Sequence, residues 1–149
     1  MSAGQVYATR KFTFSAAHRY WREEWSSAEN RRVFGNLTVA HGHNYVLEVT
    51  IRGPVDARTG MVMDLAELKR VVSDAVVQRF DHADLNADPL FAQGAIPTTE
   101  NLVRAAWDLL APKLGAERLW RLRLWEDPTF YVDYFGRVEH VGHAGHVEK

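Results

Sequence analysis

The chain has 149 residues, 46% hydrophobic and 25% charged, with a formal net charge of −1, seven histidines and no cysteine. That length suffices for one domain with its own core, and the near-neutral balance offers no basic face to nucleic acid. The absence of cysteine excludes a disulfide framework and thiol chemistry, and no apolar run is long enough to cross a bilayer.

In chain order, residues 6–16 read as a strand, with Phe12, Phe14 and Ala16 on one face and Lys11, Thr13 and Ser15 on the other. A charged, aromatic loop follows over 19–40, in which the four-residue spacing of Trp21 and Trp25 allows either a short helix packed on the core or a lid. A second strand spans 43–52, where Tyr45, Leu47, Val49 and Ile51 alternate with polar neighbours. Gly53-Pro54 opens a turn, Gly60 closes it, and Met61-Val62-Met63 reads as a short strand. Asp64 caps a helix whose apolar positions Leu65, Leu68, Val72, Ala75 and Val76 carry it to Arg79. The segment 81–86 is polar and breaks the helical period, so a loop is expected there. A second helix opens at Thr98 or Thr99 with Glu100 in its first turn, and Pro112 is expected to end it. Two last strands, 119–125 and 129–134, are joined through Glu126-Asp127-Pro128. The order predicts a single α+β domain over 1–149: a four-stranded antiparallel sheet with two helices on one face, a core of about 6–136, and a mobile tail over 137–149 carrying His140, His143 and His146. The first ten residues lack a secretory leader's apolar stretch, so the expected location is cytoplasmic.

Two histidines stand at the mouth of the second strand in His41-Gly42-His43. Residues i and i+2 of a strand share a face, so both imidazoles can close on one atom. His18 continues the series Phe12, Phe14, Ala16 of the first strand. If the two strands pair, three imidazoles meet and leave a fourth position open, the ligand count of a catalytic zinc site.

The strings Phe14-Ser15-Ala16-Ala17-His18-Arg19 and His41-Gly42-His43-Asn44-Tyr45 resemble the 6-pyruvoyl- and 6-carboxy-tetrahydropterin synthase family. So do Gly60-Met61-Val62-Met63-Asp64-Leu65, Asp81-His82-Ala83-Asp84-Leu85-Asn86 and Pro97-Thr98-Thr99-Glu100-Asn101, in the family's order over about 6–136. The resemblance implies the tunnelling fold (T-fold), with protomers joined edge to edge into a barrel, commonly a homohexamer with active sites between subunits. It implies Zn²⁺ on His18, His41 and His43, and 7,8-dihydroneopterin triphosphate as the small-molecule substrate, with no nucleic-acid or membrane partner. Asp81 and His82 are the implied proton-transfer pair. Glu126 is the implied pterin anchor, because a carboxylate accepts two parallel N–H bonds from an aminopyrimidine edge. Thr98, Thr99 and Glu100 match the segment that helps bind the pterin, and Arg19 is a candidate contact for the triphosphate.

The departure is the family's catalytic cysteine, whose thiolate removes a substrate proton. By one spacing Thr38 stands in its place, by the flanking Phe34-Gly35 Leu37 does, and neither is a base near pH 7. Three readings stay open: His82 oriented by Asp81 moves protons alone; Glu23, Glu24 or Glu29 substitutes as base; or the protein binds a pterin without turnover. The expected activity is a zinc-dependent carbon–oxygen or carbon–carbon lyase. The rivals are a non-catalytic pterin-binding protein and a zinc hydrolase acting on an unrelated substrate.

Overall fold

The computed structural model describes residues 4–137. His140, His143 and His146 therefore lie outside the described residues. β1 (Val6–His18) and β2 (His41–Gly53) form a long antiparallel ladder, in unbroken register from Val6 opposite Gly53 to His18 opposite His41. Both strands outrun the sequence expectation by two residues at this end, because each supplies the other's backbone partners past the point where the side-chain alternation fades.

β4 (Leu119–Asp127) pairs with β2, and β5 (Phe130–Tyr134) pairs with β4, both antiparallel. The expected polar loop at 81–86 holds one more strand, β3 (Ala83–Asp84), parallel to β1 through Ala16 opposite Ala83 and Ala17 opposite Asp84. The sheet is thus five-stranded and mixed, in the order β3-β1-β2-β4-β5, rather than four-stranded and antiparallel. Two residues are too few for a periodic signal, and the parallel bridge is made by docking against β1 rather than by local preference.

One face of the sheet is covered by helices. Asp64 caps α2 (Leu65–Val72), accepting from the Ala66 amide at 2.9 Å. The run continues through a π turn (Ser73–Val77) into α3 (Gln78–Phe80), where an uninterrupted α-helix was expected. Val72, Val76 and Phe80 are all fully buried. A strict 3.6-residue period would rotate residues four apart steadily off one line, and the wider turn keeps these three over the sheet. α4 (Thr99–Leu114) begins at its Thr98 cap and passes through Pro112 instead of stopping there. Proline at that place removes only the bond to the carbonyl of Asp108, a residue on the exposed face. The helices and the inner sheet face share one apolar cluster that includes Phe12, Phe14, Tyr45, Leu47, Leu122, Leu124, Leu68, Leu102 and Leu110.

Residues 61–63 do not form the expected strand. The Met61 carbonyl accepts from the Asp56 amide (3.0 Å), so its bonding is spent inside a local turn. The long 19–40 segment is not structureless either: it contains α1 (Ser27–Phe34) and a 3₁₀ turn (Gly35–Thr38). Trp21 and Trp25 both precede that helix, so their spacing reflects no helix of their own, and Trp25 stacks on Phe34 at a centroid distance of 5.7 Å. Asn30, fully buried, bolts the loop to α1. Its Oδ1 accepts from the Arg22 amide (2.7 Å), while Nδ2 donates to the carbonyls of Arg22 (2.9 Å) and Ser26 (3.1 Å).

Candidate metal and ligand site

Sheet register brings the three histidines together. His18 and His41 are direct partners across β1 and β2, and His43 faces Ala16, two residues back along β1. All three side chains thus leave the same face at one end of the sheet, and their ligand atoms lie within 4.8 Å of one another. Gly42, between two of them, sits close under the neighbouring strand: a Cβ there would lie 3.2 Å from the Ala16 carbonyl oxygen.

The rings are oriented from behind. His18 Nδ1 lies 2.7 Å from the Pro97 carbonyl and His41 Nδ1 lies 2.7 Å from the Val39 carbonyl. A carbonyl only accepts, so Nδ1 carries the proton in both rings and Nε2 presents its lone pair inward. The Nε2 atoms of His18 and His43 are buried without a hydrogen-bond partner. Burial pushes the His18 imidazole below its ordinary value against the opposing pull of Pro97, and His41 and His43 lower it further. Three converging imidazoles, two of them back-bonded to carbonyls and two with orphaned inward nitrogens, suit a divalent metal that prefers imidazole, as zinc does.

Glu126 reaches the same space from β4. Its Oε1 lies 3.7 Å from His43 Nε2 and accepts a hydrogen bond from Thr99 Oγ1 at 2.8 Å. The neighbouring Thr98 hydroxyl accepts from the Asn101 amide (3.0 Å) as the cap of α4, and Glu100 is exposed beside it. Tyr20 packs edge-on against His18 with centroids 5.3 Å apart. Burial, with help from Glu126 and Glu100, pushes its phenol up to about 12, so it stays protonated. Tyr45 lies on the other side, its hydroxyl 3.4 Å from His18 Nδ1.

Asp81 and His82 are not among these groups. They sit at the β3 edge of the sheet, where Asp81 Oδ1 accepts from the Ser15 amide (2.9 Å) and the His82 amide donates to the Ser15 carbonyl (2.5 Å). Their side chains pair at 3.0 Å, and His82 has positive φ (60°) and an exposed ring. The Ser15 amide first, and His82 after it, hold the Asp81 carboxyl below its usual range. His82 borders a cavity of about 530 Å³ with Ser15, Ala16, Ala17, Gly42, His43 and Asn44. Ser15 and Asn44, bonded to each other at 2.6 Å, alternate along their strands with Ala16 and His43, so the cavity sits at the end of the sheet and reaches one member of the histidine trio.

Thr38 and Leu37 stand where the resemblance implies a cysteine. The Thr38 hydroxyl donates to the Gly35 carbonyl (2.8 Å) and Leu37 is partly exposed. Of the loop carboxylates, Glu29 pairs with Arg32 at 2.6 Å. Glu23 and Glu24 line a cavity of about 300 Å³ with Arg19, Arg22, Asn86 and Pro97, which no histidine borders. The Arg19 guanidinium lies there over the Trp21 ring, 4.6 Å from its centroid.

Sequence reading did not find the Pro97 and Val39 carbonyls, which are backbone atoms without a residue-type signal. Tyr45 was findable, being two residues from His43 and in phase with it on the strand pattern, whereas Tyr20 lies past the end of β1.

The fold and site together define an α+β protein with a three-histidine centre able to hold a metal, flanked by a half-buried carboxylate. The chain belongs to the 6-pyruvoyl tetrahydropterin synthase family, whose model matches residues 7–137. It is 41% identical over 134 residues to 6-pyruvoyl tetrahydrobiopterin synthase of Drosophila melanogaster, covering 88% of this chain and 80% of that protein. It is 36% identical over 134 residues to dihydroneopterin monophosphate aldolase of Pyrococcus furiosus, covering 89% of this chain and 97% of that protein. The structure of Caenorhabditis elegans 6-pyruvoyl tetrahydropterin synthase matches with a TM-score of 0.84 at 35% identity, covering 92% of this chain and 99% of that one. Among the described residues, no helix is long and apolar enough to cross a membrane.

Proposed function

We propose that this protein is a zinc-dependent pterin lyase acting on 7,8-dihydroneopterin triphosphate or a close derivative. The observation that carries the reading is the convergence of His18, His41 and His43 beside Glu126, with two of the rings back-bonded to carbonyls. Relatives named as a tetrahydrobiopterin synthase and as a dihydroneopterin phosphate aldolase support a pterin side chain as the reacting group. Zinc held by the three imidazoles would supply Lewis acidity for the side-chain hydroxyls and the C–H bonds next to them.

The rest falls to residues of the chain. Glu126, whose Oε1 stands 3.7 Å from His43 Nε2, accepts the amino and ring N–H groups of the aminopyrimidine. Thr98 and Glu100 stand at the start of α4, beside which the substrate ring would sit, and Thr99, fully buried, reaches it through Glu126. With Thr38 and Leu37 unable to take a proton, His82 held by Asp81 is the base. Because that pair sits at the β3 edge, outside the cluster of its own three histidines, it serves the centre of a neighbouring copy, in an assembly that closes sheet edges into a barrel.

The test is incubation of zinc-loaded protein with 7,8-dihydroneopterin triphosphate and identification of products by mass. Loss of triphosphate with a rearranged side chain establishes carbon–oxygen lyase chemistry without a thiol. Release of 6-hydroxymethyl-dihydropterin establishes carbon–carbon cleavage. Unchanged substrate with tight pterin binding overturns catalysis and leaves a binding protein; absence of both overturns the reading.

A further inference from the structure

The segment Ile96 to Glu100 touches both halves of the site at once. The Pro97 carbonyl holds the His18 ring at 2.7 Å, and two residues later the Thr99 hydroxyl holds Glu126 Oε1 at 2.8 Å. Thr98 between them caps α4, and Asn101 Nδ2 donates back to the Ile96 carbonyl (2.8 Å), which fixes the turn. Thr99 is fully buried, so its side chain is closed to any ligand entering from solvent, whereas the Glu126 side chain is 19% exposed.

We infer that Thr99 is a positioning residue: its hydroxyl sets the plane of the Glu126 carboxylate and thereby the orientation in which a pterin ring is accepted. This rests on the reading of Glu126 as the ring anchor. The physical need is specific. Rotation about the last bond of a glutamate is soft and roughly two-fold, so an unsupported carboxylate sweeps through many planes. Bidentate acceptance from two parallel N–H groups requires one plane. Thr99 has a single proton to give, and it goes to Oε1. Each carboxylate oxygen has two lone pairs, so Oε1 keeps one for the ligand and Oε2 keeps both. A substrate ligand was the sequence expectation for Thr99; acting through Glu126 is a different role with a different consequence, namely selectivity for ring edge and orientation rather than one more contact.

The experiment measures binding of 7,8-dihydroneopterin to the zinc-loaded protein by calorimetry, for the parent, Thr99→Val, Thr99→Ser, Glu126→Gln and the Thr99→Val/Glu126→Gln pair. Thr99→Val keeps the shape and removes the donor, and is expected to weaken binding about tenfold. Thr99→Ser restores the donor and is expected to bind within about twofold of the parent. In the Glu126→Gln background, where one of the two acceptors facing the ring is gone, Thr99→Val is expected to cost clearly less than it does alone, an outcome that a general loss of packing would not give. Parent-like binding by Thr99→Val, together with loss in Glu126→Gln, overturns the positioning role and leaves the anchor standing. Parent-like binding by Glu126→Gln overturns the anchor and this inference with it. Should the valine variant fail to fold, Thr99→Ala is measured in the same cycle and read by the same outcomes.

Discussion

His18 Nδ1 and the Pro97 carbonyl oxygen stand 2.7 Å apart although 79 residues separate them in the chain. That bond fixes which nitrogen of His18 faces His41 and His43, so the loop before α4 decides the competence of a ligand at the end of β1. A metal bound there would join β1, β2 and, through Pro97, the start of α4.

Zinc should therefore stabilise the fold. Added at about a hundred times its dissociation constant, it should contribute about 2.7 kcal/mol, read as a rise in Tm of several degrees by calorimetry. His18→Gln should abolish the rise and the bound equivalent seen in metal analysis of the dialysed protein. A rise that survives His18→Gln would place the metal elsewhere.

Asn30→Ala should destabilise the protein by about 1–3 kcal/mol, because it strands the part-buried Arg22 amide and leaves the Arg22 and Ser26 carbonyls only their backbone donors, Trp25 and residue 30. Urea unfolding measures this. The same variant should increase the mobility of the Trp25 stack on Phe34, read as a change in tryptophan emission, with zinc content unaltered.

Acid stability should depend on Arg79 and Asp88, which form a two-pronged pair at 2.8 and 2.9 Å between α3 and the loop after β3. The Arg79 guanidinium, and then the Leu90 amide, hold the Asp88 carboxyl below its ordinary value despite its partial burial. A depressed folded pKa means the stabilisation is fully present above the unfolded value, about 3.9, and is lost as pH falls through the lower folded value. Arg79→Gln should thus be less stable than the parent near neutrality and lose less stability than the parent between about pH 5 and 3. Parallel pH curves for the two proteins would contradict this.

If His82 serves a neighbouring copy, two dead variants should rescue each other. His43→Ala and His82→Ala, each inactive alone, should regain part of the parent activity when co-expressed and purified as one assembly. Mixtures with no more activity than either variant would place the proton-transfer pair and the histidine trio in a single chain's site.

Much of this was legible in the sequence, and what was hidden has identifiable causes. The ladder of β1 and β2 announced itself through alternation from Phe12 to His18 and from Tyr45 to Ile51, and with it the meeting of the three histidines. Asp64 and Thr98 appeared as caps because their side-chain chemistry is local. β3 escaped notice because a two-residue strand exists only through its partner. The π turn escaped because it repairs a drift that only packing against the sheet makes costly. Asn30 escaped because its three backbone partners cluster only after the chain has folded back over α1. The edge to which Asp81 and His82 belong depends on that same hidden strand, so spacing alone could not separate them from the histidine trio.

The outer edge of β1 carries a consequence for solvent exchange. β3 covers that edge only at Ala16 and Ala17, and Asp81 takes the Ser15 amide. In the unbroken antiparallel register, the amides of Tyr7, Thr9, Lys11 and Thr13 point the same way as that of Ser15, out of the sheet, while those of Ala8, Arg10, Phe12 and Phe14 bond to β2. In a lone chain β1 is thus a two-rate strand, alternate deuterons arriving fast and slow along its length. Closing the edge against another copy would slow the fast set alone, which makes the isotope pattern of these nine residues a direct gauge of assembly.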